Sequence, residues 1–285
     1  MKNSEKSGLL YVVSTPIGNL KDITLRALET LKDVDFIAAE NRGRSRKLLS
    51  AYMINNRIVS YREENREKAT KKILESINSG KNVALISDAG TPTLSDPGDY
   101  LIKHCIDCGI YVVAIPGPSS ITSALSVSGL DTSEFVFLGF FARKGKERKN
   151  QLLGLLHEKK TSVVFESPKR IVKTLSDILD VVENRPAVLL RELTKMNEEI
   201  IRGTIFDIKT ELEVKGEVKG EIVLLISGEG EKKKELDERA VVEKIKKFLK
   251  ENPEEKTKEL AKTIADEFSI SVRDAYRMVV NERGK

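Results

Sequence analysis

The chain has no tryptophan, two cysteines and two histidines in 285 residues, and aromatic residues make up only 5% of it. So few thiols and imidazoles exclude a tetrahedral zinc site: Cys105-x-x-Cys108 has no second Cys/His cluster to complete four ligands. No metal is expected. Redox C-x-x-C pairs sit at a helix amino terminus, where the dipole favours thiolate. This pair lies just before Gly109, at the carboxyl end of an expected helix, so a buried, inert pair is expected. No apolar run approaches the length of a membrane span and the amino terminus has no signal-peptide core, so the expectation is a cytoplasmic protein without membrane contact. No G-x-G-x-x-G follows a strand and no G-x-x-x-x-G-K-[ST] occurs, which argues against an ordinary dinucleotide fold and a P-loop NTPase. The formal net charge is only +5, so nucleic-acid affinity would have to come from local clusters.

What is present is a run of short apolar strands alternating with helices. Leu9–Val13, Val34–Ala39, Val83–Ile86 and Ile110–Ile115 read as buried strands, with Ser60–Glu64 a short extended piece. Asp22 is expected to cap a helix carrying Leu25, Leu28 and Leu31, and further helices are expected at 65–79, 98–108 and 121–127. Strand–loop–helix repetition implies a parallel sheet of the α/β class. Three strand ends carry Gly/Pro loops, at 14–20, 87–98 and 116–120, and these should converge on one crevice. Ser87–Gly98 (SDAGTPTLSDPG) is the densest of them, with two glycines, two prolines and two aspartates. Taken alone its chemistry favours an Asp/Pro-rich turn without a ligand; the two further loops change that reading.

From Phe135 the texture changes. An aromatic run and the hydrophilic stretch 142–149 lead into a second, smaller unit, with strands near 162–165, 187–190, 199–202 and 221–226 and helices near 169–181 and 204–212. The expected domains are therefore 1–130, 131–230 and a helical tail, 231–285. In the tail, Val241, Ile245 and Phe248, then Leu260, Ile264 and Phe268, mark two amphipathic helices. Ser269–Ser271 turns the chain and Ser271 with Asp274 opens a third, which bears Arg273 and Arg277. Helix-turn-helix geometry and a plain three-helix bundle both fit.

Read together, the loops resemble one family. TPIGNLKDIT (Thr15–Thr24), SDAGTP (Ser87–Pro92), DPG (Asp96–Gly98), PGPSS (Pro116–Ser120), RELTK (Arg191–Lys195) and KGEIVLLISG (Lys219–Gly228) occur in the order seen in bacterial 16S rRNA cytidine 2′-O-methyltransferases, the ribosomal RNA small-subunit methyltransferase I family. That family lies within the tetrapyrrole-methylase (class III methyltransferase) group. The resemblance implies two α/β domains with S-adenosyl-L-methionine in the cleft between them, a homodimer, and 16S rRNA or the small ribosomal subunit as partner. It places the cofactor on Ile17, Gly18, Asp88, Ala89, Gly90, Thr91, Ser119 and Ser120, with Phe165, Arg191 and Ile222 from the second domain. The chain departs from the family pattern A-E-D-T-R at Ala39-Glu40-Asn41-Arg42-Gly43, and has Arg62 where members commonly have histidine.

A ribose 2′-hydroxyl is a poor nucleophile, so a nearby base would help. Strand-end carboxylates Glu40, Glu166 and Glu192 are candidates, with Glu40, Glu192 and Lys195 the catalytic expectation and Arg191 and Lys195 as phosphate clamps. Each carboxylate could instead be an ordinary ion pair. Arg42, Arg44, Arg46 and Lys47 fall in one expected loop, and Arg143, Lys144, Lys146 and Arg148 in another. With Arg273 and Arg277 they are the candidate RNA contacts, although solvated charge is the usual reading of such runs. Two alternatives keep part of this picture: a tetrapyrrole methylase, whose polycarboxylate substrate basic loops would also suit, and an RNA-binding assembly factor weakened by the Asn41-Arg42-Gly43 change.

Overall fold

Four-residue strands with no polar face must be covered on both sides, and that requirement organises the first half of the chain. A computed structural model describes residues 7–229, 238–252, 255–268 and 272–283. Strands β1 (Leu10–Val13), β2 (Phe36–Ala39), β3 (Ile58–Ser60), β4 (Val83–Ile86) and β5 (Val112–Ile115) form a parallel sheet in the order β3-β2-β4-β1-β5. Every residue of β2 and β4 is buried. Helices α1 (Leu25–Asp33), α2 (Arg42–Ala51), α3 (Arg66–Asn78) and α4 (Asp99–Asp107) link successive strands. Ala27, Leu31 and Leu49 pack on one face of the sheet, and Ile73, Ile77, Leu101 and Cys105 on the other.

Three local expectations are corrected here. Thr24, not Asp22, caps α1: its hydroxyl accepts from the Ala27 N–H at 3.1 Å, while Asp22 lies in a preceding 3-10 turn. The basic stretch 42–47 is helix rather than loop, because the Asn41 side chain accepts from the Gly43 and Arg44 N–H groups at 3.0 and 3.2 Å and starts α2 there. The cysteines differ from each other: Cys105 faces the core, where burial pushes its thiol up to about 11, whereas Cys108 is exposed at the end of α4.

The second sheet is mixed. Strands β6 (Phe135–Phe140), β7 (Thr161–Glu166), β8 (Pro186–Arg191), β9 (Glu199–Thr204) and β10 (Ile222–Ile226) run in the order β6-β7-β10-β8-β9; β6 and β7 are parallel and the remaining pairs antiparallel. Helices α6 (Gly145–Gly154), α7 (Ile171–Leu179) and α8 (Ile205–Lys215) cover one face through Leu152, Ile171, Leu175 and Ile208. The other face is covered by α5 (Ser120–Ser128), whose Ile121, Ala124 and Leu125 pack on Val163, Val188, Leu190 and Val223. A boundary at residue 130 thus separates a helix from the sheet it covers. Residues up to Glu229 form one unit, and the chain from 230 onward forms another.

Within the second unit, α9 (Glu238–Glu251), α10 (Thr257–Phe268) and α11 (Val272–Arg283) enclose Val241, Ile245, Leu260, Ile264, Ala275 and Val279. Arg273 and Arg277 lie on the exposed side of α11, and the turn at 269–271 falls outside the described residues. Among the described residues no helix is long and apolar enough to cross a membrane.

Of the second basic run, Arg143, Lys144 and Lys146 are exposed, but Arg148 is not. It is only 8% exposed; its Nη2 and Nε donate to Asp177 Oδ2 at 2.6 and 3.0 Å, Nη2 also to Thr174 Oγ1 at 3.1 Å, and Nη1 to the Ala142 carbonyl at 3.2 Å. Its expected role as an RNA contact is therefore corrected to an internal brace between α6 and α7. Arg148→Ala should cost about 3 kcal/mol by leaving Asp177 only the more distant Lys173, 3.6 Å away, read as a lower denaturant midpoint, while Lys146→Ala should stay within about 0.5 kcal/mol of the parent.

Candidate active site

Because β4, β1 and β5 are neighbours, their three carboxyl-end loops meet. Thr15 and Gly90 exchange backbone hydrogen bonds of 2.9 and 3.0 Å. Gly90 does so at φ +78°, where a side chain would be strained, and an added Cβ would press on Ile17 at 3.3 Å. The Thr91 hydroxyl donates to the Pro118 carbonyl at 3.3 Å and pairs with Ser14 Oγ at 2.9 Å, so all three loops are tied together.

Between these loops and the second sheet lies a cavity of about 370 Å³. Eight of the expected cofactor residues line it: Ile17, Ala89, Gly90, Thr91, Ser119, Ser120, Phe165 and Ile222. Phe165 is set edge-on to Phe137 and Phe140, with centroids 4.9 and 5.6 Å away, and Leu190 and Val223 extend that apolar wall. Ser119 precedes α5 without its side chain capping it, so the first N–H groups of that helix begin at the cavity.

Three expected cofactor residues stand off the wall. Asp88 receives the Arg44 guanidinium at 3.1 Å on Oδ2 and the Asn41 N–H at 3.2 Å on Oδ1. Arg191 donates to Glu199 at 3.0 Å and to the Lys219 carbonyl at 3.2 Å. Gly18 lies under segment 193–195, where a Cβ would come within 2.5 Å of Lys195 Cγ and 2.6 Å of Thr194 Oγ1. In that segment Glu192 and Thr194 hold φ of 55° and 65°, and Thr194 Oγ1 is buried without a hydrogen-bond partner.

None of Glu40, Glu192 and Lys195 lines the cavity. Lys195 Nζ reaches Glu192 at 2.7 Å and Glu221 at 3.1 Å. That bond holds the Glu192 carboxyl below its ordinary range; for Lys195, burial pulls the other way but the two carboxylates prevail and raise it. Glu40, at the end of β2, is raised by burial and then by Asp88, against the opposing pull of Arg44 and Arg62. Glu166 touches the cavity, yet its carboxylate is engaged by Arg170 and the Ser167 N–H on one oxygen and by Thr174 at 2.7 Å on the other. It is an internal ion pair.

The residue that the sequence reading passed over is Asp96. It lines the cavity beside Leu94 and Ser95, and its carboxyl is pushed up to about 6 by burial and by the nearby charges of Glu40 and Asp88. The DPG motif marked the position, but one of the charges that act on it, Glu40, comes from the end of another strand, β2.

Residues 9–209 match the model of the Tetrapyrrole (Corrin/Porphyrin) Methylases. A Bacillus subtilis protein named ribosomal RNA small subunit methyltransferase I is 44% identical over 231 residues, 81% of this chain and 78% of that one. Its Thermotoga maritima namesake is 45% identical over 221 residues, 78% of this chain and 99% of that one. The chain belongs to this family. A further family member, from Streptococcus pyogenes serotype M18, is 39% identical over 277 residues, 97% of this chain and 96% of its own. Among solved structures, uroporphyrin-III-C-methyltransferase from Thermus thermophilus superposes with a TM-score of 0.56 at 19% identity, covering 77% of this chain and 94% of that one. A diphthine synthase reaches 0.60 at 15% identity, covering 77% and 90%. At those identities the likeness is of fold, the two-sheet methylase fold.

Two outcomes follow. Gly18→Ala should force segment 193–195 off the 14–20 loop and cost about 1–3 kcal/mol, seen as a lower melting temperature. For Asp96, folded and unfolded forms are both protonated below about pH 4, and between there and pH 6 only the folded form keeps its proton. This group's contribution to stability is therefore fully present at low pH and lost as pH rises through about 6. Asp96→Asn should stabilise the protein by about 1 kcal/mol at pH 8, allowing for screening, and by nothing at pH 4, in parallel denaturant titrations.

Proposed function

We propose that this protein transfers a methyl group from S-adenosyl-L-methionine to the 2′-oxygen of a cytidine in 16S ribosomal RNA. The observation that carries the reading is 39–45% identity to ribosomal RNA small subunit methyltransferase I over 78–97% of the chain. The tetrapyrrole alternative rests on the broader family model and on fold likeness below 20% identity. Against the weakened-factor alternative, the Asn41 amide keeps the helix cap that an aspartate there would make, so α2 still starts at this position.

The cavity fits the proposed donor. Its volume lies within the roughly 300–1,000 Å³ of small-molecule sites. Phe165, Leu190, Ile222 and Val223 would hold a flat base, the opening turn of α5 would receive a carboxylate, and Glu221 would face positive charge. When bound, the donor supplies an activated methyl on a sulfonium. What the chain itself contributes is orientation, worth up to roughly 7–11 kcal/mol in an in-line displacement.

For the RNA, Arg42, Arg46 and Lys47 are exposed on α2, and Arg143, Lys144 and Lys146 are exposed around the start of α6. Arg44 is shared between this surface and Asp88. The Thermotoga maritima relative is matched almost end to end by 221 residues, about the size of the body without the tail, so we assign the tail, with Arg273 and Arg277, an auxiliary RNA contact. Exposed Tyr111 and Phe135, beside and on the edge strands β5 and β6, support a homodimer, and the substrate supports a cytoplasmic location.

Nucleoside mass spectrometry of ribosomal RNA from a deletion strain should lose 2′-O-methylcytidine; an unchanged level would refute the assignment. Reversing Arg46 and Lys47 to Glu should weaken RNA binding and flatten its salt dependence by about one unit of slope per phosphate contact, leaving donor affinity unchanged.

A further inference from the structure

Three carboxylates line the cavity, and their surroundings separate them. Glu166 is closed off: Arg170, the Ser167 N–H and Thr174 occupy its oxygens, and its side chain is fully buried. Glu221 points largely to solvent and is held by Lys195 at 3.1 Å. Asp96 has no cation partner among the described residues, although it stands on the same wall as Leu94, Ser95 and Phe140. Its place is fixed by the backbone around it. Thr93 and Ser95 hold φ of 77° and 74°, Pro97 follows, and Gly98 at φ 151° lies so close to Leu85 that an added Cβ would come within 2.9 Å. The charged groups that face it are Glu40 at the end of β2 and Asp88 at the end of β4, while the Ser87 hydroxyl donates to the Ala89 and Gly90 carbonyls at 3.3 and 3.2 Å.

We infer that Asp96 is the general base of the methyl transfer, accepting the proton of the ribose 2′-hydroxyl. This rests on the 2′-O-methylation reading above and adds the group that makes the hydroxyl reactive. As the ribose oxygen forms its bond to the methyl carbon, its proton passes to an Asp96 carboxylate oxygen. The electron pair of the broken carbon–sulfur bond stays on the donor's sulfur, so charge and atoms balance without a further reactant. A carboxylate is suited to this when desolvated and denied a cation, because either solvation or an ion pair would lower its basicity. Burial and the two neighbouring acids set Asp96 near 6, so it is ionised at neutral pH yet more basic than an ordinary aspartate.

The test uses full-length protein, ribosomal RNA substrate and saturating S-adenosyl-L-methionine under single-turnover conditions. The parent rate should rise tenfold per pH unit up to about pH 6 and then level. Asp96→Asn should lose that limb and run about 10²- to 10⁴-fold slower at pH 7.5, while calorimetric affinity for S-adenosyl-L-methionine stays within a few-fold. Asp96→Glu should restore part of the rate and move the limb. A near-parental rate in Asp96→Asn, or a retained limb, would overturn the inference. So would a large loss of donor affinity with a normal rate at saturation, which would make Asp96 an anchor for the donor's amino group. If the parent protein neither binds the donor nor methylates the RNA, the functional reading itself falls, and this assignment with it.

Discussion

The two backbone hydrogen bonds between Thr15 and Gly90 are the constraint on which the site depends. They fix the loop after β1 against the loop after β4 without using a side chain, which leaves Ile17, Ala89 and Thr91 free to form a wall. A residue with a Cβ would be strained at φ +78°, so this exchange calls for glycine. From that fixed point the Thr91 hydroxyl reaches across to Pro118 and brings the third loop, with Ser119 and Ser120, into place.

Charge is arranged on the same frame. Asp88, Glu40 and Asp96 gather where β2 and β4 end, and Arg44 from α2 makes its ion pair with Asp88. The basic helix and the 87–98 loop are thereby joined by one ion pair. On the other side of the cleft the acids of the second sheet are each matched, Glu166 with Arg170, Glu192 and Glu221 with Lys195, and Glu199 with Arg191 and Lys215. Basicity is kept for one side of the cavity.

Much of this was legible in the residues. Val83–Ile86 announced a buried strand by its apolar run, and the Gly/Pro loops announced strand ends that bind ligands. Their convergence needed strand order, which local sequence does not encode. The 42–47 stretch read as a loop because its charge density and Gly43 outweighed the single cap signal at Asn41. Arg148 carried the same charge as its neighbours; only its spacing with Leu152 and Leu155, at i, i+4 and i+7, marked it as facing inward. Asp96 was visible as part of a motif, but its chemistry is set by burial and by Glu40, more than fifty residues away in the chain.

The strand order of the second sheet also bears on how the chain is made. Its last strand, β10, lies in the middle of the sheet, hydrogen-bonded to β7 on one side and β8 on the other. During synthesis β6, β7, β8 and β9 leave the ribosome with a gap between them that only Ile222–Ile226 can fill. A nascent chain that stops short of Ile222 therefore presents two open strand edges, β7 and β8, lined with Val, Leu and Phe, the kind of surface that chaperones cover and that aggregates when it is not covered.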